Sequence, residues 1–88
     1  MAEIIMEVLT GDPPCRPCLD ALELADEYAA NYVGRLKVIK LAGKEARAKF
    51  VHYKLDCTPA IVINGTIRIE GICPSRATLD SALKEAGL

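Results

Sequence analysis

The 88 residues predict an α/β fold: a mixed four-stranded sheet with helices on both faces, in the order β-α-β-α-β-β-α. Three observations predict it. In the first half, an apolar strand-like run, a helix-period stretch and a second strand-like run follow one another. That is the pattern of a βαβ unit with parallel strands. Asn64-Gly65 stands between two short runs of branched residues, the strongest short-range hairpin signal. Apolar residues make up 51% of the chain, enough to pack an interior, and the length suits one domain spanning residues 1–88.

Residues 3–9 are apolar and branched and stop at Thr10-Gly11-Asp12-Pro13-Pro14, a buried strand followed by a loop. From Cys15 to about Tyr32 an amphipathic helix is expected, with Leu19, Leu22, Ala25 and Ala29 as its apolar stripe and Gly34 as its stop. Residues 35–41 alternate, and Lys40 breaks the apolar side, which suits an edge strand. Residues 43–54 read as a more polar helix with Ala46, Phe50 and Tyr53 on one side. Residues 60–63 and 66–70 form the hairpin, and Pro74-Ser75-Arg76 opens a last helix with Leu79, Ala82, Leu83 and Ala86 inward.

Composition narrows the function. A net charge of −1 offers no electrostatic case for nucleic acid or an anionic membrane as partner. Four aromatic residues (Tyr28, Tyr32, Phe50 and Tyr53) are too few for a base-stacking platform. No apolar run approaches the roughly 20 residues that span a bilayer. The start, Met1-Ala2-Glu3-Ile4-Ile5, lacks the basic region of a secretory signal, so a cytoplasmic location is expected. There thiols are kept reduced, and a CxxC pair is more often catalytic or metal-binding than a staple.

Cys15-Arg16-Pro17-Cys18 carries the chemistry. A helix beginning at or just before Cys15 presents unpaired backbone N–H groups and a partial positive charge to its sulfur. Such a setting lowers a cysteine pKa from about 8.5 into the range of roughly 3.5–7.5 and supplies the nucleophilic thiolate. Pro17 has no N–H to leave unsatisfied in a first turn. A four-residue disulfide loop gives only about 2 kcal/mol of stabilisation, so the bridge is easily reduced.

Together, CxxC at the start of the first helix, Thr58-Pro59 at the start of the third strand and the later Gly71 resemble the thioredoxin/glutaredoxin family in its minimal size. The resemblance implies the minimal thioredoxin fold and a thiol-disulfide oxidoreductase that reduces protein disulfides. By it, Cys15 is the attacking thiol and Cys18 the resolving one. Arg16 and Pro17 tune the active-site loop. Thr58, Gly71 and a cis Pro59 bind an extended substrate segment. The cofactor is the redox-active Cys15–Cys18 disulfide alone, with no metal. The partners are disulfide-containing proteins and an electron donor, either a reductase or a low-molecular-weight thiol, and the chain acts as a monomer. Two departures stand out. Leu9 occupies the place of the buried aspartate that thioredoxins carry, and Pro74-Ser75-Arg76 lacks the acidic residue with which glutaredoxins hold glutathione.

Cys57 and Cys73 flank the expected site, as a second redox pair or resolving relay, or more plainly as small buried apolar residues. Two other functions share the fold: a non-catalytic binding module and a thiol metal carrier. A zinc site is the weaker of these, because Cys57 and Cys73 lack the close spacing of a zinc ribbon. Lys40 falls where thioredoxins often carry a strand lysine near the dithiol, though a solvated end of the edge strand accounts for it more plainly. His52, on a polar helix, reads as a surface residue, and Glu3, Glu7, Asp20, Glu23, Asp26 and Glu27 read as solvated faces.

Overall fold

In the computed structural model, residues 3–11, 16–55, 59–70 and 75–88 are described. They form β1 (Ile4–Thr10), α1 (Arg16–Asn31), β2 (Leu36–Ala42), α2 (Gly43–Tyr53), β3 (Ala60–Ile63), β4 (Ile67–Glu70) and α3 (Arg76–Glu85), in the predicted order. The strands pair as β2-β1-β3-β4, so β2 is an edge strand as expected. β1 runs parallel to β2, from Ile4↔Leu36 to Thr10↔Ala42. It runs antiparallel to β3, from Met6↔Ile63 to Leu9↔Ala60.

Strand alternation divides the interior into two layers. Ile4, Met6 and Val8 of β1, with Leu36, Ile61 and Ile63, face α1 and α3. Leu9, Ala60 and Val62 face α2, where they meet Ala46 and Leu55. β1 is central and covered on both sides, which is why its residues from Met6 to Thr10 are all buried.

The buried positions of α1 are Cys18, Ala21, Ala25 and Tyr28, at spacings of three and four. The stripe is therefore rotated by one residue from the expected Leu19–Leu22–Ala25–Ala29 line. Leu22 and Ala29 sit at its margin, and Leu19 is 47% exposed. Over its first turns the inner line is taken by the small Cys18, Ala21 and Ala25, which let that part of the helix pack closely on the sheet, and Tyr28 extends the line toward α3. Tyr28 is buried; its hydroxyl donates to Asp80 of α3 at 2.5 Å and joins the two helices. Burial, then the Asp80 hydrogen bond and charge, push the Tyr28 phenol up to about 12.

The ends follow local chemistry. Gly34, with φ +83°, turns the chain after α1 in a conformation that costs a side-chain residue energy. Lys54 closes α2 in the left-handed region at φ 57°, its N–H bonding back to the last turn. Ser75 caps α3 by accepting from the Thr78 N–H at 3.2 Å. In the hairpin, Ile63 pairs with Ile67, so Thr66 belongs to the turn and not to the strand as expected. Asn64 and Gly65 both take positive φ, and Asn64 also bonds the β1 backbone in both directions at Ile5. That tie draws the turn onto the neighbouring strand.

Candidate active site

One edge of the sheet gathers the strand ends that lead to the candidate residues. Thr10 ends β1 opposite Ala42, Ala60 opens β3 opposite Leu9, and Glu70 ends β4 opposite Ala60. Cys15, Cys57, Thr58, Gly71 and Cys73 themselves lie outside the described residues. Of the expected site, Arg16, Pro17, Cys18 and Pro59 are described.

α1 begins at Arg16. Arg16 and Pro17 are exposed, whereas Cys18, one step further, is fully buried. The first turn of this helix contains no acidic side chain, so no carboxylate there opposes a thiolate. Its leading N–H groups have no partner within the helix and favour a negative charge. Arg16 reaches along the helix to Asp20, Nε to Oδ1 3.6 Å, with both side chains well exposed. Its charge is thus shared with a carboxylate one turn into the helix and screened by water. Pro59 is fully buried at the entrance to β3, beside the end of β1.

Leu9 is completely buried among Ala46, Leu55, Ala60 and Val62, so that point of β1 holds a hydrocarbon with no proton to exchange. The buried carboxylate of this strand is Glu7, one pleat further from the site edge and only 7% exposed. This corrects the expectation that Glu7 lies on a solvated face. Its Oε1 accepts from the Tyr53 hydroxyl at 2.5 Å, and its Oε2 lies 3.6 Å from Lys49 Nζ. The hydrogen bond to Glu7, then burial, raises the Tyr53 phenol above its ordinary value. A signal for Glu7 existed in the sequence: a charge in the middle of a strand apolar on both of its other neighbours.

Lys40 pairs away from the start of α1. Opposite Val8 in register, it faces α1 and pairs with Asp26. Asp26 is eight residues beyond Cys18, about 12 Å along the helix axis. His52 is exposed, as expected, and meets Tyr53 edge-on with ring centroids 4.9 Å apart. A shallow groove of about 580 Å³ lies at the opposite edge of the sheet, between Ile5, Tyr53 and the Asn64-Gly65 turn. Of the polar groups that line it, Glu7 and Tyr53 satisfy each other and Asn64 is tied to the Ile5 backbone, while Glu3 is exposed.

A family model described as "Thioredoxin domain" matches residues 5–84. The chain belongs to the thioredoxin family. Two curated relatives agree: a protein described as "Probable Thioredoxin" from Methanothermobacter thermautotrophicus is 36% identical over 80 residues, covering 91% of this chain and 92% of the relative. Its counterpart in Methanothermobacter marburgensis is 35% identical over the same shares. Among solved structures, one titled "Structure of a malarial protein" superposes with a TM-score of 0.80 over 99% of this chain and 100% of that one. At 16% identity it speaks for the fold alone. Among the described residues no helix is long and apolar enough to cross a membrane.

Proposed function

We propose that this thioredoxin-family protein is a thiol-disulfide oxidoreductase that reduces protein disulfides through Cys15 and Cys18. The observation that carries the reading is the step in exposure at the start of α1. Arg16 and Pro17 face solvent while Cys18 is buried behind them in the first turn. A resolving thiol needs that shelter, since it must reach the partner sulfur of its own chain and avoid external disulfides.

In the proposed cycle the Cys15 thiolate attacks one sulfur of the substrate disulfide. The substrate S–S bond breaks, a mixed disulfide forms, and the departing substrate sulfur leaves as a thiolate that takes up a proton. Cys18 then loses its proton and attacks the Cys15 sulfur. The second substrate thiolate leaves and is protonated in turn, and the Cys15–Cys18 disulfide remains. Two electrons have passed from the dithiol to the substrate. Because Leu9 offers no carboxylate, the Cys18 proton passes to the departing thiolate or to water. Pro59, the Thr58 backbone and Gly71 bind an extended stretch of substrate. A reductase or a small thiol in the cytoplasm returns the electrons.

Reduction of insulin disulfides by dithiothreitol, followed by turbidity, tests the reading. The protein should accelerate it, Cys15→Ser should abolish the acceleration, and Cys18→Ser should accumulate a mixed disulfide with substrate. A rate equal to background, unchanged in Cys15→Ser, would leave a binding module of the same fold. Comparing re-reduction by a thioredoxin reductase with that by glutathione identifies the donor.

A further inference from the structure

Charge is segregated between the two sides of the sheet. α1 carries Asp20, Glu23, Asp26 and Glu27, and three of these meet a cation: Arg16, Lys40 and Arg76 respectively for Asp20, Asp26 and Glu27. α2 and its cap carry Lys44, Arg47, Lys49 and Lys54 against the single carboxylate Glu45. Lys49 reaches Glu7, but none of the ion pairs among the described residues takes Lys44, Arg47 or Lys54. Strand alternation adds Lys37 and Arg68 to this side, with Glu70 as a further carboxylate.

Within α2, Lys44, Arg47, Ala48 and Val51 recur at i, i+3, i+4 and i+7 and so form one stripe. All four are exposed, and Val51 is 77% open to solvent. A single exposed valine is ordinary. Here two cations that none of these ion pairs takes open the stripe, and an alanine and a valine continue it, on the positive side of a chain whose net charge is −1. The stripe also starts at the right place. β1 and β2 end in register at Thr10↔Ala42, and Gly43 begins α2 immediately after. Neighbouring strands are about 4.8 Å apart, so Lys44 rises from the same edge to which β1 delivers the Cys15-Arg16-Pro17-Cys18 segment.

We infer that the Lys44–Arg47–Ala48–Val51 stripe of α2 is a docking surface for acidic disulfide-containing proteins and selects among substrates by charge. The inference rests on the oxidoreductase reading above. An acidic segment next to the target disulfide lies across α2 while the disulfide meets the start of α1, and opposite charge raises the rate of productive encounter.

The test uses the full chain and two synthetic peptides with the same cystine loop, one with a Glu/Leu-rich tail and one with a Lys/Leu-rich tail. At about 20 mM ionic strength kcat/KM should favour the acidic peptide about tenfold, and at about 500 mM the preference should fall below about twofold. The doubly reversed variant Lys44→Glu/Arg47→Glu should invert the preference, and Val51→Ser should weaken it by about threefold. The ratio of the two peptides within each variant cancels any loss of active protein. Lys44→Glu lies in the first turn and suits the helix dipole, and Arg47→Glu replaces one good helix former with another, so the reversed helix should still form.

Equal rates for the two peptides would overturn the inference and leave the oxidoreductase reading intact. Failure to reduce either peptide, or hydroxyethyl disulfide, would remove that reading and the inference with it. Binding of duplex DNA or phosphatidylglycerol vesicles, lost in the reversed variant and with no preference between the peptides, would assign the stripe to a polyanion and overturn the inference.

Discussion

The two faces of the sheet are built on different principles. On the α1/α3 face, among the described residues, twelve buried side chains form one cluster, and polar contacts lie at its rim, where Tyr28 meets the exposed Asp80. On the α2 face five buried residues form the cluster, and a carboxylate sits beside them under the helix. α2 buries one residue of its own length, Ala46, with Phe50 and Tyr53 half covered. One face is held by hydrocarbon, the other by a small core and a buried carboxylate that accepts from Tyr53 and pairs with Lys49. The difference has a use, because the thin face leaves α2 free to carry its charge outward.

The largest expected effect compares the same deletion on both faces. Leu79→Ala removes a fully buried side chain of the larger cluster and should cost about 3–4 kcal/mol. Leu55→Ala, from the smaller and slightly open cluster, should cost about 2 kcal/mol. Denaturant midpoints measure both, and equal losses would break the contrast.

Hydroxyl deletion sharpens it, because here the order should reverse. Tyr53→Phe takes a donor from Glu7, which is buried and then keeps Lys49 as its partner among the described residues, and should cost about 1–2 kcal/mol. Tyr28→Phe removes a bond of the same length from Asp80, but that carboxylate is exposed and takes water in its place. Its cost should stay below about 1 kcal/mol.

How much of this was legible depended on whether one strand or two layers wrote the signal. The hairpin at Asn64-Gly65, the capped α3 and the edge character of β2 follow from local chemistry, and the fold follows from their order. The α1 stripe was placed one residue off, because hydropathy favours Leu19 while close packing on the sheet favours Ala21 and Cys18. A charged residue on a strand usually points outward, which makes Glu7 look solvated in the sequence. Only tertiary cover by α2, with Tyr53 arriving from 46 positions away, makes its burial tolerable. At the candidate site, the residue types Cys15, Cys18 and Pro59 announced themselves. The Arg16–Asp20 pair follows from i, i+4 spacing on a helix, whereas the pairing of Lys40 with Asp26 does not announce itself, since the rotation of α1 against the sheet decides it.

Alkaline titration probes both faces at once. Tyr28 is raised to about 12 by burial and by Asp80, and Tyr53 is raised by Glu7 and by burial. Between pH 10 and the folded values, the unfolded chain has released these protons and the native chain still holds them. Stability therefore falls as pH rises through that window. The contribution of Tyr28 is complete below pH 10 and gone above about 12. Urea unfolding from pH 8 to 12 should show a fall that becomes shallower in Tyr28→Phe and in Tyr53→Phe. A fall unchanged in both variants would mean that neither phenol is held by its partner.

The smallest effect belongs to Lys40, and its smallness is informative. The Lys40–Asp26 pair bridges β2 to α1 on the outside of the larger cluster, with both side chains about half exposed, where such pairs contribute about 0.5 kcal/mol or less. Lys40→Met should shift the denaturant midpoint barely, and less at high salt, because water and ions already screen the charge. It should also leave the pH dependence of Cys15 alkylation where it was, since Asp26 holds the ammonium about two turns of α1 beyond Cys18. A thiol that titrates higher in Lys40→Met would mean that the lysine leaves Asp26 for the dithiol. The charge that favours the thiolate would then come from the sheet as well as from the end of the helix.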